Sequence, residues 1–243
     1  MNTKTRFDAL NNAIEEDRVI RWAWRLDADR ACLLITLAPE LYSPGMTYGD
    51  AISRPCPSKF LPDWLVRLTP TIDDCGTAEA WPGMIRRYAS AVGRAALTLD
   101  TDAWNRVYFQ FLTRLLRQVG ERGMTPLEHQ AVEFIEQSNS LSFPPEITEA
   151  LLAAKPEEQD ENGENGERAL FADLLYILRA LLSPYDEEAK TLAQCISLCA
   201  EAILHPNDPD SALPFAWEQI AWDRVTEILF DTIEAALPPE ATP

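Results

Sequence analysis

Glycine is scarce in this chain, 9 residues among 243, and histidine scarcer still, with 2. The few glycines form neither a GxGxxG nor a Walker pattern, so a glycine-rich phosphate-binding loop is excluded. Neither HExxH nor GxSxG occurs. Pro126 stands three residues before His129 and Ala202 three before His205, so no ExxH pair exists for a ferritin-like di-metal bundle. Long apolar runs are missing too. The best, Ala31 to Ala38, is far too short to cross a bilayer, and the first residues lack the apolar stretch of a secretory signal. The expectation is a soluble cytoplasmic protein without membrane contact.

Cysteine is present but unpatterned. Cys32, Cys56, Cys75, Cys195 and Cys199 are odd in number and show neither CxxC nor a disulfide framework. Cys195 and Cys199 lie one helical turn apart with His205 nearby, a conceivable metal site; buried packing of a small apolar-like thiol weighs more. No metal or cofactor is expected.

The second half of the chain lacks positive charge. Residues 1–123 carry a net charge of +1, whereas residues 124–243 hold 24 acids and only 5 bases, a net of −19. A field of that sign favours basic partners and disfavours nucleic acid phosphates. Six of the acids fall in the segment from Lys155 to Arg168, which repeats Glu-Asn-Gly and has almost nothing apolar to bury. It reads as a disordered acidic loop. The remaining acids lie mostly on predicted helices.

Those helices are what the sequence does contain. Low glycine and 18 prolines suit helices separated by proline-marked loops. The clearest runs from Asp100 to Val119, with Trp104, Val107, Tyr108, Phe111, Leu112, Leu115, Leu116 and Val119 on one face, a cap at Asp100 or Thr101, and Gly120 at its end. Thr125-Pro126-Leu127-Glu128 is a capping box opening a helix to about Gln137. Pro144 and Pro145 introduce a short helix. Further helices are expected over 169–182, 183–204 and 215–236, and the last is apolar around most of its circumference, as a central core helix or a partner interface is. In the N-terminal third, helices are expected at 6–14, 30–38 (capped by Asp27 or Asp29), 58–68 and 77–97. Residues 19–26 fit helix or strand, and 39–58 form a long irregular segment. The fold class is all-α, an irregular, mostly antiparallel bundle of about eight to ten helices. It is expected as a single helical domain over 1–243, with two lobes, 1–154 and 169–243, as the alternative.

Three functions follow from different features. The first is a non-enzymatic cytoplasmic interaction module whose acidic C-terminal half binds a basic protein partner. The residues carrying it are Glu187, Glu188, Glu218, Asp223, Glu227, Asp231 and Trp222, with no catalytic set. In charge and broad class only, this resembles immunity or inhibitor proteins; no motif carries the resemblance. The second is an enzyme or small-ligand protein with a carboxylate site near Asp63, Asp73 and Asp74, since adjacent carboxylates raise each other's pKa or hold a cation. Against it stands the commoner use of Asp-Asp as a turn with one residue capping the next helix. The third is self-association through the last helix. The arginines of the first half, among them Arg86, Arg87, Arg94, Arg106, Arg114, Arg117 and Arg122, fit weak nucleic acid binding less well than docking against the acidic C-terminal helices.

Overall fold

The computed structural model describes residues 1–47, 59–154, 174, 175, 177–179, 181 and 214–239, with residues 122 and 214–218 described by backbone alone. The fold is all-α. Among the described residues no strand forms, and two isolated bridges, Val19 to Ala31 and Arg25 to Ala31, are the remnants of pairing. No helix there is long and apolar enough to cross a membrane. The expected acidic loop at 155–168 and helix at 183–204 lie outside the described residues, as do Cys195, Cys199 and His205. The chain divides into two compact units, Met1–Trp104 with Trp222–Pro243, and Asn105–Ala221. The end of the last helix groups with residues 1–104.

The first unit opens with α1 (Thr3–Glu15), capped by the Asn2 side chain on Thr5 N. Helix α2 (Leu33–Leu37) is shorter than the expected 30–38. Its cap is Cys32, whose Sγ accepts from Ile35 N, while Asp27 instead closes a turn by accepting from Asp29 N and Arg30 N. A 3-10 turn (Pro39–Leu41) follows. The side chain of Arg6 is buried between these pieces. It donates to the Leu37 carbonyl (2.7 Å), ion-pairs with Glu40 and lies over the Phe60 ring. That guanidinium holds the Glu40 carboxyl below its ordinary range through a side-chain hydrogen bond.

Helix α3 (Asp63–Cys75) corrects the expected helix 58–68 at both ends. Pro62, within the first turn of the expected span, is the N-cap, and the helix runs past the expected end with Pro70 inside it. An interior proline costs about 3 kcal/mol; burial of Leu65, Val66, Leu68, Pro70 and Ile72 offsets it here. Thr69 sits on the same buried side, its hydroxyl accepting or donating at 2.7 Å to Tyr88 OH. The extension carries Asp73 and Asp74 into the last turn of α3, so they are not the expected turn. Helix α4 (Trp81–Thr98) then starts four residues later than expected, after a turn in which the Thr77 hydroxyl accepts from Ala80 N. Its Gly93 allows α1 to approach: a Cβ there would meet the Phe7 ring at 3.0 Å.

Helix α5 (Thr101–Val119) matches its expectation, with Asp100 Oδ1 taking Ala103 N. A 3-10 turn (Gly120–Arg122) follows it. Within the second unit, α6 (Pro126–Ser138) begins with both halves of the expected capping box, and Asn139 ends it in the left-handed conformation. Helix α7 (Pro145–Ala153) follows Pro144 as expected. Phe134 and Phe143 pack at 5.4 Å, Arg117 ion-pairs with Glu136, and Arg179 donates to the carbonyls of Leu151 (2.7 Å) and Ala154 at the end of α7.

Helix α8 (Pro214–Ala236) closes the described chain. In its first-unit part, Trp222, Val225, Thr226, Ile228, Leu229, Phe230, Thr232 and Ile233 are buried, which explains why apolar residues ring most of its circumference. A stripe at 220, 224, 227, 231 and 234 reaches solvent, at alternating four- and three-residue steps, with Ala235 exposed beside it.

Candidate functional site

The end of α3 gathers the chemistry-bearing side chains of the first unit. Asp73 is 1% exposed. Its Oδ2 accepts from Leu33 N (3.0 Å), so α3 caps the N-terminus of α2 from outside that helix. Its Oδ1 accepts from Trp81 Nε1 (3.0 Å) in the first turn of α4. Burial drives the Asp73 carboxyl up to about 7, against the two hydrogen bonds and the Arg21 charge that pull it down. Asp74 is half-buried and also held above its ordinary range, again by desolvation. It accepts from Trp22 N at 2.6 Å.

Arg21 binds the carbonyls at this helix end: Nε donates to Asp73 O (3.0 Å), Nη2 to Asp74 O (2.9 Å) and Gly76 O (2.6 Å). A cation on the last carbonyls of a helix satisfies acceptors that have no intrahelical donor and complements the dipole. Its guanidinium also stacks over Trp22 at 4.5 Å. Just beyond, Asp223 of α8 accepts from Thr77 N (3.0 Å) and Thr77 Oγ1 (2.6 Å). Gly76 is needed for that approach, since a Cβ on it would stand 2.5 Å from Asp223 Oδ1. Cys32 lies beside this cluster; burial, then the Asp73 charge, pushes its thiol up to about 12.

Asp63, Asp73 and Asp74 do not form one site. Asp63 lies in the first turn of α3 and the pair in its last, roughly 15 Å apart at 1.5 Å rise per residue. Both oxygens of Asp73 are taken by structural donors in a place closed to solvent. The expectation that one of the pair caps the following helix is also corrected: they serve α2 and the loop bearing Trp22, because α3 runs on past Pro70.

The partner-binding candidates separate. Trp222 is buried, 3% exposed, within the first unit's core. Asp223 serves Thr77. Asp231 binds Arg87 of α4 (2.6 Å), and the same guanidinium grips Glu234 with Nε at 2.8 Å and Nη2 at 2.7 Å. These contacts, the Glu234 hydrogen bond foremost, raise the Arg87 pKa further above its ordinary value. Glu227 is exposed and pairs with Arg224 at 3.1 Å on its own helix. Glu187 and Glu188 lie outside the described residues, as does the side chain of Glu218. His129 is exposed on α6. Among the described residues no group of three or more His, Cys, Asp or Glu side chains is placed to hold a metal ion.

Sequence reasoning missed Arg6, Arg21 and Trp22. Arg6 entered only as the start of the helix expected at 6–14, and Arg21 only within the segment 19–26. Trp22 read as part of a strand or helix, yet it is 65% exposed with φ +59°. No protein-family model, curated protein or solved structure matches this chain.

Proposed function

We propose that this protein is a non-enzymatic interaction module that binds a basic protein partner through carboxylates of its C-terminal half. The observation carrying the reading is the solvent stripe of α8. On a helix whose 222, 225, 226, 228–230, 232 and 233 side chains are buried, Glu227, Asp231 and Glu234 reach solvent together, with side-chain exposures of 59%, 56% and 43%. Arg87 and Arg224 offset part of this locally, while the chain as a whole keeps a net charge of −18. Helix α8 is anchored by Arg87, Asp223 and its buried face, so the stripe is rigid, and contact on it orders few side chains. Glu227 is its most exposed carboxylate, at 59%. Self-association through α8 is a poorer fit, because Trp222 is committed to the core and most of the exposed positions from 224 to 234 are charged.

The test is binding at low and high ionic strength with a Glu227→Lys variant. Retention of a basic protein at low salt, lost at high salt and weakened by the reversal, supports the reading. Retention insensitive to both salt and the reversal would refute it.

A further inference from the structure

The segment Arg18–Ala31 is a closed loop with little holding it from inside. Its ends are tied by Ala31 N to Arg18 O (3.3 Å) and Ile20 N to Ala31 O (3.0 Å). Leu26 N donates to Arg30 O and Cys32 N to Trp24 O, which folds the middle back on itself. Of its side chains only Val19 and Ala31 are buried. Two large apolar residues, Trp22 and Leu26, face solvent at 65% and 59% exposure. Compact loops with joined ends and their own internal packing are recurrent functional elements.

The hydrogen bonds described from the middle of this loop to the rest of the first unit come from Arg21 and Trp22, and Arg25 lies over the Tyr42 ring at 5.6 Å. Arg21 donates to the carbonyls of Asp73, Asp74 and Gly76, and Trp22 donates its backbone N–H to the Asp74 carboxylate and its indole N–H to Asp74 O (3.1 Å). Every one of these contacts is polar and ends within four residues of chain. Trp22 also holds φ +59°, a left-handed conformation that is strained for a bulky side chain. The closed form is thus over-determined at one point and weakly held elsewhere. Few buried apolar contacts are the mark of segments that open below the global unfolding free energy.

We propose that Arg18–Ala31 is a strap latched by Asp74 and Arg21 to the end of α3, which opens as a unit while the helices beneath stay folded. Opening relaxes Trp22 out of its left-handed backbone and frees Trp22 and Leu26 to reorient. It also bares the carbonyls of Asp73, Asp74 and Gly76 in a single step. The inference is independent of the acidic partner surface, since none of its residues lies on α8.

The test is limited trypsin digestion of the full chain, following cleavage after the exposed Arg25. Asp74→Ala removes a hydrogen bond to a charged acceptor, so cleavage there should speed up about ten- to a hundredfold. Cleavage after Arg94 in α4 should stay at the wild-type rate. A change at Arg25 of less than twofold, or equal acceleration at Arg94, would overturn the proposal. Hydrogen exchange on the unmodified protein gives a second reading that needs no variant. The amides of Leu26 and Cys32 should exchange through an opening insensitive to denaturant, while α4 amides require a denaturant-sensitive one. Exchange of both sets by the same denaturant-sensitive opening would contradict a strap that moves alone.

Discussion

Replacing Asp73 is the sharpest perturbation of the first unit. Its two oxygens each accept one buried donor, Leu33 N and Trp81 Nε1, both at 3.0 Å. Asp73→Ala strands both donors, and at about 1–3 kcal/mol for each buried group left unsatisfied, the expected loss is roughly 2–6 kcal/mol. Asp73→Asn keeps one acceptor oxygen and strands one donor, so the loss is about 1–3 kcal/mol. Urea unfolding followed by far-UV circular dichroism measures both. The pH dependence adds a signed check. The folded carboxyl titrates at about 7 against an ordinary 3.8 because burial penalises its charge. The folded state therefore holds a proton that the unfolded chain gives up. Its stabilisation is complete below about pH 4 and is lost as pH rises toward 7, at a slope approaching about 1.4 kcal/mol per pH unit. Asp74 is raised as well and contributes with the same sign. Asp73→Asn has no such proton at this position, so the gap between wild type and this variant should be widest at and below about pH 4 and narrow toward pH 8. An alanine variant within 1 kcal/mol of wild type, or a gap that widens with pH, would refute this reasoning.

Other consequences are accessible to simple measurements. Glu40→Ala should cost more than its partly exposed position suggests, about 1–3 kcal/mol, because it removes a carboxylate that ion-pairs with the buried Arg6 guanidinium. Glu40 is held low by Arg6, so its contribution is present above the ordinary carboxylate range and is lost as pH falls through the folded value, opposite in sign to Asp73. A double-mutant cycle between Arg87 and Glu234 should give a coupling of about 0.5–1 kcal/mol that shrinks with salt, since the pair is bidentate but solvent-facing. Zero coupling would detach α8 from α4 at this point. Cys32 should resist alkylation at pH 8 in the native protein and label readily in urea, as peptide mass mapping would show; rapid native labelling would contradict its burial and raised pKa.

The parts of the fold legible in the sequence are those fixed locally. The Thr125 capping box, the Asp100 cap and the apolar face of α5 depend on residues three or four apart, so pattern alone located them. Misplaced boundaries mark places where tertiary packing overrode local preference. Helix α3 runs past the expected end at 68 and through Pro70, whose neighbours are buried, and that extension places Asp73 and Asp74 at a helix end rather than in a turn. Residues 19–26 resisted assignment for a related reason. Their conformation is imposed by Asp73, Asp74 and Gly76, some fifty residues away, and no local period encodes it. The charge asymmetry was visible at once, but its use was not. Asp223 docks on Thr77 and the more exposed Asp231 on Arg87, whereas Glu227 pairs with Arg224 on its own helix. Which acid docks and which faces solvent depends on the rotation of α8, set by its buried side chains.

The most direct measurement is the ionic-strength dependence of the dissociation constant for a purified basic protein partner, compared between wild type and Glu227→Lys. If the α8 stripe is the contact surface, affinity falls as salt rises and the reversal weakens binding at low salt, with the two proteins converging at high salt. Equal affinities with parallel salt dependence would place the contact elsewhere and contradict an acidic docking role for α8.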